Sequence, residues 1–167
     1  MKWAEHVVEQ LRAKATTHGG GTAPVEHEGW QVQVEAEATG PVGVSAQRIR
    51  VSAPHPADPA EAGRELAGRV TYLLEPLRLV EASSERALVR SAPSERWGET
   101  REYYEAWITR SGERTEIDLR RYRYTRSSRQ RAPRSIDVTW EVAGRLLDDI
   151  RESLEAAQER STASPST

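Results

Sequence analysis

The stretch from residue 99 to residue 125 constrains the fold most, because two runs of alternating side chains flank a glycine turn. A two-residue turn at Gly112-Glu113 suits a type II′ β-turn, which favours glycine in its first position. Apolar residues then oppose one another on one face, in the pairs Ile108–Ile117 and Ala106–Leu119. The sequence therefore predicts a long β-hairpin whose apolar face packs on the core.

The other face of this predicted hairpin is aromatic and charged. The same register gives the cross-strand pairs Tyr103–Tyr122, Glu105–Arg120 and Arg101–Tyr124. A β-bulge at Arg120–Arg121 is the alternative, and it would turn Tyr122 and Tyr124 towards the core. The two versions differ in whether aromatic rings remain on the side of the sheet that faces away from the core.

Three amphipathic helices accompany the hairpin. Apolar residues at three- and four-residue spacing predict a helix over residues 2–15 and a second one between Pro59 and Glu75. Asp58 occupies the capping position of the second helix, and the proline at residue 76 should end it. A third helix follows the capping residue Thr139, and its apolar stripe consists of Val142, Leu146, Leu147, Ile150 and Leu154.

The remaining strands are shorter or strictly alternating. Period-two alternation predicts strands over residues 29–38 and 44–53, with a β-bulge near Gln47. Further strands are predicted at residues 77–81, 86–91 and 136–138, and loops at residues 93–98 and 125–134. We therefore expect an α+β fold with a mainly antiparallel sheet of about six or seven strands and N-terminal, middle and C-terminal helices. The predicted order is α-β-β-α-β-β-β-β-β-α.

Composition limits the classes of protein to consider. Residues 1–158 are expected to form a single α+β domain, and the polar residues 159–167 a disordered C-terminal tail. The chain has no cysteine, and its formal net charge of −2 gives no overall attraction to nucleic acid or anionic membranes. No segment has the apolar length of a membrane span, and the first residues lack the apolar run of a signal peptide. We therefore expect a cytoplasmic protein.

The sequence contains no motif that predicts an enzyme, since the signatures of nucleophile elbows, zinc proteases and dinucleotide sites are missing. The glycines at residues 19–21 lack the lysine and serine or threonine of a phosphate-binding loop, so we interpret them as a flexible connector. His18, His27 and Glu28 carry metal-binding groups, but their spacing is not that of a metal-ligand signature. The question of catalysis stays open with a preference against it, and no cofactor and no metal are expected.

The sequence favours a module that binds another protein or a second copy of itself. Tyrosine, tryptophan and arginine are the residues most enriched at interface hot spots. The candidate contact residues are Tyr103, Trp107, Tyr122, Tyr124 and Trp3. For Trp3, which lies on the first helix, packing into the core is the alternative interpretation.

Binding of RNA or single-stranded DNA is the alternative function. Seven arginines and no acidic residue lie between residues 120 and 134: Arg120, Arg121, Arg123, Arg126, Arg129, Arg131 and Arg134. Arginine binds phosphates and tyrosine stacks on bases, and single-stranded sites combine the two. Ion pairs with acidic residues of the hairpin would neutralise the same cations. A further alternative is a small-molecule pocket between the sheet and the last helix.

Overall fold

The computed structural model describes residues 2–18, 21–73, 75–91 and 98–159. Within these ranges the helices are α1 (Trp3–His18), α2 (Pro59–Arg69) and α3 (Trp140–Ala156). The strands are β1 (Gly21–His27), β2 (Trp30–Thr39), β3 (Gly43–Ala53), β4 (Leu77–Ala82), β5 (Arg86–Ser91), β6 (Thr100–Ser111), β7 (Arg114–Thr125), β8 (Gln130–Arg134) and β9 (Ile136–Thr139). In this part of the chain, no helix is long and apolar enough to cross a membrane.

All nine strands belong to one sheet, and every pair of neighbouring strands is antiparallel. The spatial order is β1-β2-β3-β7-β6-β5-β4. The predicted α+β class with a mainly antiparallel sheet is therefore confirmed, although the sheet has more strands than the six or seven expected.

The short strands β8 and β9 fill a fork between β3 and β7. Residues 49–53 of β3 pair directly with residues 115–119 of β7, and beyond that point the two strands separate. The gap holds β8, which pairs with β7, and β9, which pairs with residues 43–46 of β3. The predicted bulge near Gln47 is confirmed at this place, since the pairing with β2 passes from Arg48 to Ala46 and skips Gln47.

The three helices pack on one face of the sheet and form a single core with it. Alternate residues of the central strands point into this core, among them Val51 of β3, Ile108 of β6 and Ile117 of β7, all fully buried. The predicted apolar stripe of α3 packs against them. We call this side the helix-covered face and the opposite side, on which no described helix lies, the open face.

Helix α2 is shorter than predicted, because it ends at Arg69 rather than near Glu75. Val70 leaves the helical region, with φ −88° and ψ 85°, and its N–H donates to the carbonyl of Leu66. Val70 and Leu73 are nonetheless buried, so the apolar residues that suggested further helical turns reach the core from a non-helical segment. Leu74, which falls within the predicted helix, lies outside the described residues.

Close packing joins α2 to the sheet at Gly63. A Cβ atom at this position would lie 3.0 Å from Leu79 Cδ1 and 3.1 Å from Val89 Cγ2. Val89 is fully buried in β5, so it has little space to move away. Gly63 therefore sets how closely the helix approaches the strands.

Two strands were not predicted, and both contain features that disfavour strands. Strand β1 begins in the glycine segment interpreted as a connector, and it contains Pro24. Proline is tolerated there because β1 is at the edge of the sheet and, among the described strands, pairs with β2 alone. Strand β8 lies in the segment predicted as a loop, where Pro133 and uniformly exposed side chains hide the alternation. The predicted loop over residues 93–98 lies outside the described residues except for Gly98.

Candidate binding surface on the open face

The register of the β6–β7 hairpin places the predicted aromatic residues on the open face. Pairing runs without interruption from Thr100–Thr125 to Ser111–Arg114 and contains the predicted pair Tyr103–Tyr122. The positive φ of Gly112, +61°, agrees with the predicted turn. Because no bulge interrupts the strands, the alternative that turns Tyr122 towards the core is wrong.

Glu105 is the centre of this face. Its side chain is only 3% exposed, although no described helix covers it. Its Oε2 atom accepts hydrogen bonds from Arg90 Nη2 at 3.1 Å and Arg131 Nη1 at 3.0 Å, and its Oε1 atom accepts one from Trp107 Nε1 at 3.1 Å. A buried carboxylate is tolerated only when it is paired and hydrogen-bonded, and these three donors meet that requirement.

Aromatic rings and guanidinium groups lie over one another around Glu105. The rings of Tyr103 and Tyr122 have centroids 5.8 Å apart, and the Arg131 guanidinium lies 4.1 Å from the Tyr122 centroid. At Trp107, the guanidinium of Arg86 lies 4.2 Å from the ring centroid. These distances are typical of cation–π interactions, and the interactions hold the rings and cations in fixed positions.

An apolar residue on β5 completes the centre of the open face. Leu88 lies opposite Trp107 across β5 and β6 and is 5% exposed, yet it does not belong to the core beneath the helices. Leu88 therefore belongs to the layer of side chains on the open face. Antiparallel sheets commonly present short polar side chains to water on one face. This face instead carries a packed layer of large side chains.

Among the described residues, this part of the open face carries more arginines than carboxylates. Arg90, Arg101 and Arg131 lie near the two tyrosine rings, and Glu105 is the carboxylate that pairs with two of them. A separate set of ion pairs lies further along β7, where Asp118 binds Arg48 at 2.7 Å and Arg120 at 3.3 Å. Burial lowers the pKa of Arg120, but Asp118 outweighs this effect and raises it above its ordinary value.

Strand alternation divides the seven arginines predicted to bind nucleic acid. Arg120 and Arg131 point to the open face, where they pair with Asp118 and Glu105. Three others lie on the helix-covered side, where they surround Glu102: Arg121, Arg123 and Arg134. The last two, Arg126 and Arg129, lie in the turn between β7 and β8. The seven therefore do not share one surface, and the five that lie on strands form ion pairs within the chain.

The structure places Trp3 apart from the other predicted contact residues. Trp3 lies on the helix-covered side, is 8% exposed and packs edge-on against Trp30 with a centroid distance of 5.9 Å. The guanidinium of Arg151 lies 4.9 Å from its ring. Tyr124 is half-buried at the end of β7, opposite Arg131 in β8, and it belongs to the open face.

Three histidines lie near Trp3 and Trp30. His6 and His27 stack with a centroid distance of 3.9 Å, and His55 contacts Trp30 edge-on. His27 Nε2 lies 3.8 Å from a carboxylate oxygen of Glu28, whereas the side chain of His18 is outside the described part of the chain. Within that part, no group of three or more histidine, aspartate or glutamate side chains is placed to hold a metal ion.

A further cavity opens elsewhere on the open face. It has a volume of about 530 Å³ and is lined by residues of β1, β2, β3 and β7, among them Gln33, Arg50 and Glu116. Burial raises the pKa of Glu116. Between the sheet and α3, where a small-molecule pocket was considered, the space is filled by Leu146, Leu147, Ile150 and Leu154, which are 0–2% exposed.

The sequence did not identify the partners of Glu105. Arg86, Leu88 and Arg90 alternate along β5 and therefore share a face, which is a signal in the sequence. That signal does not say which strand β5 pairs with. Only the pairing with β6 brings this set of side chains beside Glu105 and Trp107.

Comparison of the chain with protein-family models, curated proteins and solved structures finds no significant match. The interpretation of its function therefore depends on the geometry of its own residues.

Proposed function

We propose that this chain is a non-enzymatic interaction module that binds another protein through the open face around Tyr103, Trp107 and Tyr122. The observation that carries the proposal is a layer of aromatic rings and arginines on a sheet face that no described helix covers. Such side chains are enriched at the centres of protein interfaces and contribute most of the binding energy there. A solvated sheet face has no need of them.

The fixed positions of these side chains support the proposal. Glu105 binds Arg90, Arg131 and Trp107 at once, and Arg131 in turn lies over Tyr122. Ordering a flexible side chain on binding costs about 0.5–1.5 kcal/mol, so groups that are already ordered lose less. A partner would meet a surface that is already in its binding conformation.

The excess of arginine indicates the chemistry of the partner. On this part of the open face, the arginines that the structure describes outnumber the described carboxylates that pair with them. Complementary charge increases the association rate and selects among partners. The expected partner therefore presents an acidic segment with apolar residues, either on another protein or on a second copy of the chain.

Affinity capture with matched variants tests this function. The test protein carries Trp107→Ala and Tyr122→Ala, and the control carries Val42→Ser, which changes an exposed apolar residue in the β2–β3 turn. Quantitative mass spectrometry should find the same enriched proteins with the wild type and the control, and lose them with the double variant. Sedimentation velocity of all three proteins measures self-association. Capture of the same proteins at the same level by all three, with no change in oligomeric state, would contradict the proposal.

A second candidate function is binding of single-stranded nucleic acid at the same face. The arrangement of Arg131 over Tyr122, with Tyr124 beside it, favours this function because stacking rings and cations occur together. Fluorescence anisotropy with single-stranded oligonucleotides at several salt concentrations tests it. If the affinity is no tighter than micromolar at low salt and does not change with salt, this candidate is refuted.

A further inference from the structure

At the end of the sheet near the β7–β8 turn, one carboxylate forms ion pairs with three arginines. Glu102 of β6 lies directly opposite Arg123 of β7, and Arg121 of β7 lies directly opposite Arg134 of β8. All four side chains are on the helix-covered side of the sheet, and Glu102 pairs with each of the three arginines. We call these three arginines the arginine triad.

Glu102 is fully engaged by the triad. Its Oε1 atom accepts from Arg123 Nη2 at 2.8 Å and lies 3.4 Å from Arg134 Nε, while its Oε2 atom accepts from Arg121 Nη2. Burial raises the pKa of Glu102, but the three arginines outweigh it and lower the pKa below its ordinary value. Glu102 therefore supplies one negative charge at neutral pH, against three positive charges.

The triad keeps an excess of positive charge that Glu102 does not balance. Like charges directly opposite one another in a sheet destabilise it, and Arg121 and Arg134 are such a pair. A bound anion would remove this repulsion. The side chains of Arg123 and Arg134 are 40% and 45% exposed, so their remaining N–H groups are accessible to a ligand.

Space for an anion exists beside the triad. A cavity of about 290 Å³ is lined by Arg121, Arg134 and Ser135, and Arg121 Nη1 is held at its edge by the carbonyl of Ser135 at 3.1 Å. Glu37 and Asp137 also line the cavity. Both are engaged by neutral donors, Glu37 by Gln47 and Ser135, and Asp137 by Ser45. Neutral donors leave both carboxylates charged, but neither carboxylate forms an ion pair with the triad within the described part of the chain.

We propose that the arginine triad binds a phosphate group, as inorganic phosphate or as the terminal phosphate of a small molecule. Guanidinium groups bind phosphate through pairs of parallel hydrogen bonds, and the partly exposed guanidinium groups of Arg123 and Arg134 have N–H groups available for them. The triad lies on the other side of the sheet from the open face. It is therefore independent of the protein-binding function proposed above.

Binding of inorganic phosphate to the full chain tests the site. Isothermal titration calorimetry and the change in melting temperature are measured in phosphate and in sodium chloride of equal ionic strength. The test variant is Arg123→Ala with Arg134→Ala, and the control is Arg129→Ala, which removes an exposed arginine from the neighbouring turn. Wild type and control should bind phosphate saturably. The double variant should bind phosphate at least about tenfold more weakly, which is the effect of losing a charge-assisted hydrogen bond.

Arg134→Lys provides a second test if the double variant does not fold. This change keeps the charge and removes the forked donor geometry, so phosphate binding should weaken while the chain stays folded. The proposal is overturned if the wild type does not bind phosphate at millimolar concentrations, or if the variants bind as tightly as the wild type. Binding of single-stranded oligonucleotides without binding of phosphate would also overturn it. To separate the two sources of the phosphate, a nucleoside monophosphate and inorganic phosphate are compared in competition.

Discussion

Glu105→Gln removes one charge from the centre of the open face while keeping the shape of the side chain. The substitution leaves the Arg90 and Arg131 guanidinium groups facing a neutral amide, and their hydrogen bonds to Glu105 are 3.0–3.3 Å long. Breaking a fully buried ion pair costs about 3–5 kcal/mol. The two guanidinium groups are 38% and 46% exposed, so water recovers part of that cost. We expect a loss of about 2 kcal/mol in the free energy of unfolding.

Urea denaturation followed by tryptophan fluorescence measures this loss directly. For a chain of this size, a loss of about 2 kcal/mol corresponds to a decrease of about 4–8 °C in melting temperature. The matched control is Glu113→Gln in the exposed hairpin turn, which should change stability by less than about 0.5 kcal/mol. A double-mutant cycle with Arg131→Gln should show a coupling of about 1 kcal/mol. If Glu105→Gln behaves like the control, Glu105 does not organise the open face as described.

Three further changes test other features of the structure. Gly63→Ala should destabilise the chain by about 1 kcal/mol, because the added methyl group crowds the strands. Gly68→Ala in the same helix, where a Cβ meets nothing within 4 Å, should stabilise the chain by up to about 1 kcal/mol. Equal effects of the two substitutions in thermal denaturation would contradict the close packing at Gly63. Glu116→Gln should be more stable than the wild type at neutral pH, because burial raises the folded-state pKa and so disfavours the ionised form; the difference should vanish as the pH falls below the ordinary glutamate range, and urea denaturation across pH checks the sign. Gly112→Ala should cost about 1–2 kcal/mol because the turn requires a positive φ, while Gly40→Ala, which has no such φ and an open surrounding, should cost little in the same assay.

The hairpin register followed from the sequence because local information is sufficient for it. Gly112 fixes the position of the turn, and a strict period of two then determines every cross-strand pair up to Tyr124. The faces of Trp30 and Val32 in β2 followed in the same way, since alternation there is unbroken. These predictions needed no knowledge of which distant strand lies alongside.

The remaining pairings depend on contacts between distant segments, which alternation does not specify. Nothing in the sequence of β3 says that Ile49 faces Leu119 across the sheet, or that β9 continues the pairing where β7 departs. Helix α2 was predicted too long because buried residues beyond Arg69 fit a helical period although they lie in an irregular segment. The candidate site was therefore predicted as a face of one hairpin, whereas the arginines that contact Glu105 and Trp107 come from β5 and β8: Arg86, Arg90 and Arg131.

The pairing of β8 and β9 in the fork between β3 and β7 has a consequence for the order of folding. β8 pairs with its immediate neighbour β7, while β9 pairs with β3, roughly ninety residues earlier in the chain. Local contacts form before distant ones, because closing a long loop costs more conformational entropy. We expect β6, β7 and β8 to assemble first as a folding nucleus and to fix β9 in an extended conformation. The N-terminal strands would then dock on a prepared edge, and this docking would set the folding rate of the chain.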